Sequence, residues 1–152
     1  LYRRGMYTFI KLTVPPPNMI MFDASNRDQC EVKRLNTNTP LQALAMMNDP
    51  TVLEAARVFS QKLISSNKQD EENISLAFQS IICRKAKSKE LKILTDYYTE
   101  QLSLFKNKKL DAEKIIAVGE FPKDEKADKY RSAAMMKVII TIYNMEEAIT
   151  KT

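Results

Sequence analysis

The sequence predicts an all-α fold: an irregular bundle of six to eight helices, with an extended Pro-rich and polar segment near the N-terminus. Apolar residues recur at helical spacing throughout the chain after residue 51. The 152 residues include only 2 Gly and no Trp, which disfavours a turn-rich all-β fold. The stretch 138–143 is rich in β-branched residues, but it has no evident partner strand, so we predict helix there as well.

The N-terminal segment is predicted to change structure twice. Residues 1–12 carry apolar side chains at near-helical spacing, which predicts a helix. The three prolines within residues 14–18 favour extended geometry, so this part is interpreted as a rigid connector. Residues 19–22 are predicted to form a short, extended apolar segment.

The next helix is predicted to begin at Thr39-Pro40. The Thr39 hydroxyl can cap free first-turn N–H groups, and Pro40 suits the first helical position. Residues 41–47 are apolar with one exception, which predicts a helix that is buried on most sides. Residues 48–50 end this helix because the residue before a proline avoids helical geometry, and Asp49 can cap the helix that follows.

Six further helical stretches are predicted after residue 50. Each has apolar residues three or four positions apart, which places them on one helix face. Asp111 is predicted to begin the fourth of these helices and Gly119 to end it. The apolar residues that define these helices are Val52, Ala55, Ala56, Phe59 and Leu63; Ile74, Ala77, Phe78 and Ile81; Leu91, Leu94, Tyr98, Leu102 and Phe105; Ile115, Ile116 and Val118; Tyr130, Ala134, Val138 and Ile142; and Ala148 and Ile149.

Polar side chains concentrate between the prolines and the helix that begins at Pro40. Asn and Thr at positions 36–39 favour turns because their side chains bond to nearby backbone. One interpretation is a tight polar turn, with the charged residues in an internal ion-pair network. The other is a binding site at a helix N-terminus, where free N–H groups attract an anion or a carbonyl oxygen. The candidate binding residues are Asp23, Arg27, Arg34, Asn36, Asn38 and Thr39.

The residue types that the chain lacks exclude several classes of chemistry. The chain has no His, which removes Ser–His and Cys–His catalysis and the commonest metal ligand. It also has no Gly-rich phosphate-binding loop. Asp23 with Asp28 and Asp49 with Glu54 are the remaining carboxylate pairs, but we interpret Asp49 as a helix cap and Glu54 as a surface residue. We therefore expect no catalytic residue, no metal site and no cofactor in this chain.

The two cysteines, Cys30 and Cys83, are too few for a zinc framework or a haem-attachment motif. A disulfide between them and two free thiols are both compatible with the sequence. Cys83 lies in an apolar run, which favours a buried thiol at that position.

Charge and hydropathy disfavour a nucleic-acid partner and a membrane-spanning helix. The formal net charge of +5 comes from scattered lysines, without a basic strip interleaved with aromatic residues, so we predict no nucleic-acid partner. No apolar run approaches the ~18 residues that a membrane-spanning helix requires, so we predict no transmembrane segment.

Two stretches give the chain a resemblance to a known family. They are LYRRGMYTFIKLTVPPPNMIMFDASNRDQCEVKRLNTNTPLQALAMMNDP near the start and YNMEEAITK at the end. The chain resembles the C-terminal part of the family of proteins of unknown function numbered 1553, found in planctomycete-type multidomain proteins. The most specific string is TNTPLQAL, with FDA and R-x-x-C before it. The resemblance implies large exported proteins that carry a cytochrome-c-like domain and sometimes carbohydrate-binding modules upstream, with no settled activity.

The resemblance and the missing initiator Met together imply a domain organisation. We expect one helical domain over residues 1–152, excised from the C-terminal part of a larger protein. Residues 1–38 would hold the N-terminal helix and the Pro-rich and polar segment, and residues 39–152 the helical body. The family resemblance also implies an extracytoplasmic location, in the periplasm or at the cell surface.

Two hypotheses about function follow from the sequence. In the first, the chain is a non-catalytic helical accessory and interaction module. Its partners are other domains of the same parent protein, with a glycan or another extracellular polymer as a further candidate. In the alternative, its polar segment is part of a composite enzyme site, for redox chemistry or carbohydrate processing, that the missing N-terminal domains complete.

Overall fold

We describe the fold from a computed structural model, which defines residues 7–9, 11, 15–25, 32–33, 37–66, 68–124 and 126–150. The predicted all-α class is confirmed. These residues form eight α-helices: α1 (Pro17–Met21), α2 (Pro40–Asn48), α3 (Pro50–Ser65), α4 (Asp70–Ile82), α5 (Ser88–Lys106), α6 (Ala112–Ile116), α7 (Lys129–Tyr143) and α8 (Glu146–Ile149).

The chain divides into two compact units, residues 1–45 and residues 46–152. The first unit contains α1 and the first part of α2, and the second contains α3 to α8.

Before α2, the first unit differs from the sequence prediction at two places. Residues 17–21 are not extended, as was predicted for the connector 14–18 and for the segment 19–22, because α1 begins at Pro17, which occupies its first turn without the loss of a hydrogen bond. Asp23 follows α1 in left-handed geometry (φ 55°), a conformation that Asp tolerates better than most residues. The helix predicted over residues 1–12 is wrong at residues 7–9 and 11, which are not α-helical, and the rest of that range lies outside the described residues.

Helix α2 begins at Pro40, as predicted, but the prediction that it is buried on most sides is wrong. Leu41 and Leu44 are 57% and 55% exposed, and Met47 is 48% exposed. Gln42, the polar exception in this run, is only 1% exposed. The exposed side of α2 is therefore apolar, and a polar residue occupies its buried side.

In the second unit, α7 is the central helix and packs against α3, α4, α5 and α6. Its β-branched second half is helical, as predicted, because burial overrides the weaker helix propensity of Val and Ile. The buried residues of α7 are Ser132, Ala133, Ala134, Met135, Met136, Val138, Ile139, Ile140 and Ile142.

The predicted inward faces of the other long helices are largely confirmed. Ala55 is an exception, since it is exposed on α3. The confirmed buried positions are Ala56 and Leu63 in α3, Ile74, Ala77 and Phe78 in α4, and Leu94, Tyr98 and Phe105 in α5.

Aspartates cap the starts of two helices that the sequence marks. Asp49 accepts hydrogen bonds from the N–H groups of Thr51 (2.8 Å) and Val52 (3.3 Å), as predicted for the start of α3. Asp111 accepts a hydrogen bond from the N–H of Lys114 (3.1 Å) at the start of α6. Each cap satisfies N–H groups that have no partner within the helix.

Cys83 ends α4 in left-handed geometry (φ 62°) and carries an exposed, free thiol. The prediction of a buried thiol at this position is therefore wrong. The apolar run of α4 ends at Ile82, and the change of backbone direction at Cys83 takes its side chain off the buried face. Cys30 lies outside the described residues.

Candidate functional site

The first unit contains a polar network around the Asp23 carboxylate. The N–H and the hydroxyl of Thr37 both donate hydrogen bonds to Asp23 Oδ2, at 2.8 Å and 2.7 Å. The backbone hydrogen bond from Thr37, with the hydroxyl bond next in importance, lowers the pKa of Asp23 below its usual value. Asp23 therefore stays ionised and fixes the backbone that leads into α2.

Gln42 connects this network to both helices of the unit. Its N–H donates to Thr39 Oγ1 (3.3 Å), and its Oε1 accepts from the Thr39 N–H (2.9 Å), which forms a capping box. Its Nε2 donates to the carbonyl of Met21 (2.8 Å) and to Thr37 Oγ1 (3.0 Å). Both polar atoms of the Gln42 side chain, Oε1 and Nε2, are thus bonded within the protein, which explains its burial.

The structure places the predicted binding residues in different settings. Asp23 and Thr39 belong to one network, and Asn38 is exposed beside it. Arg27, Arg34 and Asn36 lie outside the described residues, so a site formed by all six remains a prediction. Asp23 and Thr39 are joined by Thr37, which was predicted only as a turn residue, and by Gln42, which was not among the predicted binding residues. The spacing Thr39-x-x-Gln42 is itself a capping-box signature and could have identified Gln42.

The second unit buries a charged residue that the sequence analysis also missed. Arg57 of α3 has no solvent exposure. Its Nε donates to the carbonyl of Val118 (2.9 Å), its Nη2 to the carbonyl of Phe121 (2.6 Å) and its Nη1 to Gln61 Oε1 (3.1 Å). The guanidinium therefore fixes the loop that follows α6 to α3 at two points.

Glu54 completes this buried cluster, so its interpretation as a surface residue is wrong. It is 9% exposed, and its Oε1 lies 3.6 Å from Arg57 Nη2. The N–H of Phe121 donates to the same oxygen. Gly119 lies against the Glu54 side chain with φ +88°, and a Cβ at that position would collide with it. The loop thus requires Gly for both conformation and space.

A third polar cluster joins three helix ends of the second unit. Arg84, just after α4, donates to both carboxylate oxygens of Glu90 in α5 (2.9 Å and 2.8 Å) and of Glu147 in α8 (both 2.8 Å). Its guanidinium lies 4.9 Å from the centre of the Phe78 ring. The bonds from Arg84 and from the N–H of Lys87 lower the pKa of Glu90 to about 2, and Arg84 also lowers the pKa of Glu147. Arg84 therefore acts as a clamp that holds α8.

The described residues contain neither a metal-binding group nor a membrane-spanning helix. Within them, no group of three or more Cys, Asp or Glu side chains is arranged to hold a metal ion. No helix in the same part of the chain has the length and apolar character to cross a bilayer. The polar clusters consist instead of mutually bonded side chains and backbone groups.

The comparison with protein families identifies the class of protein. Residues 1–98 match the family described as PSD1, a protein of unknown function (DUF1553). Because this match covers more than half of the chain, the chain belongs to the DUF1553 family, which confirms the resemblance at the level of the family. No curated protein and no solved structure matches the chain. The matched residues include α1 to α4 and the Asp23 network, whereas α6 and α7 lie beyond them.

Proposed function

We propose that this chain is a non-catalytic helical interaction module of an exported multidomain protein, and that another domain of the same parent protein binds to the apolar face of α2. The first part of α2 carries the observation behind this proposal. Leu41 and Leu44 are three residues apart, lie on one helix face and are each more than half exposed, whereas Gln42 is buried. Export is included because the family resemblance implies it.

The exposed leucines of α2 favour contact between this helix and another protein surface. Burial of apolar surface contributes roughly 25 cal/mol per Å², so two exposed leucines on one face are a source of binding free energy. The Thr39–Gln42 capping box fixes the start of α2, which limits the conformational entropy that a partner would have to remove. Leu41 and Leu44 are therefore presented on a helix that is already ordered.

Charge favours a different domain over a second copy of this chain. Residues 1–45 contain six Lys or Arg and three Asp or Glu, so this part of the chain is net positive. Two copies that met through it would bring like charges together, which weakens association. The partner expected here presents an apolar surface with acidic residues around it.

The experiment measures binding between this chain and the other domains of the parent protein, produced as a separate chain. The double variant Leu41→Ser, Leu44→Ser should weaken binding more than about tenfold, since central apolar contacts each contribute roughly 1–2 kcal/mol. Ile93→Ser is the matched control, because Ile93 is a 68% exposed apolar residue of α5. It should bind as the unmodified chain does.

Two results would overturn the proposal. If the double variant and Ile93→Ser bind equally well, the α2 face is not the contact. If the isolated chain forms a dimer that only the double variant dissociates, the occupant is a second copy.

The composite enzyme site remains a prediction without a specific observation in its favour. The hydrogen bonds that Asp23 accepts from Thr37 are internal to the polar turn. If Arg34→Ala abolished an activity of the full-length protein without a change in melting temperature, the composite site would gain support.

A further inference from the structure

A cleft of about 400 Å³ lies in the second unit, where the end of α5, the linker 107–111, α6 and the start of α7 meet. Leu110 and Tyr130 contribute apolar surface to it, and Lys108, Asp111, Glu113 and Lys129 contribute charges. This volume lies in the range of clefts that bind small molecules. The cleft belongs to the part of the chain beyond the family match, and the proposed α2 contact does not involve it.

Two of these charges neutralise each other. Lys129 Nζ lies 2.7 Å from Glu113 Oε1, and the same ammonium lies 5.3 Å from the centre of the Tyr130 ring. The hydrogen bond with Glu113 raises the pKa of Lys129. Glu113 and Lys129 therefore line the cleft as an ion pair with no net charge.

Lys108 is a cation that the described residues leave without an ion-pair partner. It has φ 55°, in the left-handed position just after α5 that Gly commonly occupies. The N–H of Lys109 closes this helix end on the carbonyl of Leu104 (3.0 Å). A lysine is more strained than a glycine in this backbone conformation. The lysine, however, places a positive charge at the cleft.

Asp111 is the complementary anion. Its Oδ1 caps α6 through the Lys114 N–H, and no ion pair of the described residues includes it. A carboxylate has about four acceptor positions, so the cap leaves most of them available. Lys108 and Asp111 thus give one cleft a charge of each sign outside the Glu113–Lys129 ion pair, beside the apolar surface of Leu110 and Tyr130. Asp111 also acts at longer range on the Lys129 ammonium.

We propose that this cleft binds a small zwitterion with an apolar body, such as an apolar amino acid. The ligand carboxylate pairs with Lys108, the ligand ammonium pairs with Asp111, and the apolar body packs on Leu110 and Tyr130. A ligand with only one charge leaves the opposite charge of the cleft without a partner.

The test is a titration of the complete chain with L-leucine at low ionic strength and neutral pH. Backbone amide chemical shifts of Leu110, Ala112 and Tyr130 report binding at the cleft. Two probes each lack one charge: 4-methylpentanoate has no ammonium, and 3-methylbutylamine has no carboxylate. Leucine should give saturable shifts in the millimolar range, and each probe should bind at least about threefold more weakly, the size of effect expected for one partly exposed ion pair.

Two substitutions test the contributions of Lys108 and Asp111 to binding separately. Lys108→Gln should weaken leucine binding about threefold and leave the amine probe unaffected. Asp111→Asn should weaken leucine binding by a similar factor and leave the carboxylate probe unaffected. Asn caps helices as well as Asp does, so α6 is retained, and far-UV circular dichroism verifies this. Lys109→Gln is the matched control, because it removes the same charge one residue away from a position that lines the cleft.

Three outcomes would overturn the proposal. The first is that leucine gives no saturable shifts up to tens of millimolar. The second is that either singly charged probe binds as tightly as leucine. The third is that Lys109→Gln weakens binding as much as Lys108→Gln does, which would show that the effect comes from net charge and not from a site.

Discussion

Arg57 is a charged side chain without solvent exposure, and its surroundings explain how the fold tolerates it. Each of its three nitrogens has an acceptor, and Glu54 offsets its charge at 3.6 Å. A buried charge is strongly destabilising only when it lacks such partners. Arg57 therefore links α3 to a loop more than sixty residues away in the sequence.

Arg57→Met should lower the free energy of unfolding by about 3–5 kcal/mol, because it leaves the Glu54 carboxylate buried without its cation and two carbonyls without donors. Urea unfolding measures this loss. Lys62→Met is the control, since Lys62 is an exposed cation of the same helix, and it should change stability by less than about 0.5 kcal/mol. The addition of Glu54→Gln to Arg57→Met should recover part of the loss. Equal losses for Arg57→Met and Lys62→Met would contradict the buried-charge explanation.

Gly119→Ala should lower the free energy of unfolding by about 1–3 kcal/mol. The backbone at φ +88° is strained for a residue with a side chain, and the added methyl group meets Glu54. Glu120→Ala, at the exposed neighbouring position, is the control, with an expected change below about 0.5 kcal/mol. Unfolding curves in which the two variants coincide would show that the loop accommodates the methyl group.

The sequence predicts the starts of helices better than it predicts side-chain partners. The prediction that Gly119 ends α6 is wrong, because this helix ends at Ile116. Asp49 and Asp111 act as local caps, and a cap depends only on the next two or three residues. Glu54 and Arg57 could not be predicted as buried, because their partners come from a loop that only the tertiary fold brings to them. Asp23 and Thr39 lie between these cases, since Thr37 and Gln42 connect them over short sequence distances.

Among the elements, α2 differs most from its prediction. Its apolar composition indicates a buried helix, but composition does not define which side has neighbours. The capping box and the bonds to Met21 and Thr37 direct Gln42 inward, and Leu41 and Leu44 consequently lie outward. The prediction of α1 as extended gave too much weight to the prolines, although a proline is well suited to a first helical turn.

Helix α8 has only four residues, and Arg84 holds it through Glu147. The stability of this contact depends on pH, because carboxylates accept the bonds. Folding lowers the pKa of Glu90 from its ordinary value of 4.5 to about 2, and it also lowers the pKa of Glu147. The stabilisation is therefore complete above the ordinary carboxyl pKa and is lost as the pH falls towards about 2. Arg84 remains charged throughout this range.

We expect the urea concentration at the unfolding midpoint to decrease when the pH is lowered from about 5 to about 2.5. The decrease should be smaller in Arg84→Gln, because this variant lacks the bonds of Arg84 at both pH values. Lys85→Gln removes the same charge from the adjacent exposed residue and should keep the full pH dependence. If Arg84→Gln and the unmodified chain lose the same amount of stability in acid, the clamp is not its source.

For the molecule as a whole, the fold class was predictable because hydrophobic periodicity repeats in every long helix. The central position of α7 was not predicted, although residues 133–142 are apolar except at Lys137 and Thr141, a pattern typical of a helix that is buried on most sides. Packing against α3, α4, α5 and α6 distinguishes it. The residues that match the family, 1–98, include α3 and α4 in full and only the first part of α5, and they end before α6 and α7.

A fragment of residues 46–150 should therefore unfold cooperatively, as a unit with its own core, whereas a fragment of residues 1–98 should not, because it lacks α7. Thermal unfolding followed by far-UV circular dichroism distinguishes the two results. A sharp transition in the fragment 1–98 would mean that the family-matched part is an independent domain.

The long link from Arg57 also has a consequence for the timing of protein synthesis. The chain grows at about 5–20 residues per second, so the carbonyls of Val118 and Phe121 leave the ribosome several seconds after Arg57 does. Until they arrive, the guanidinium stays hydrated and that side of α3 stays open to water. A nascent chain of this protein therefore presents an unfinished helix surface to chaperones and proteases during those seconds.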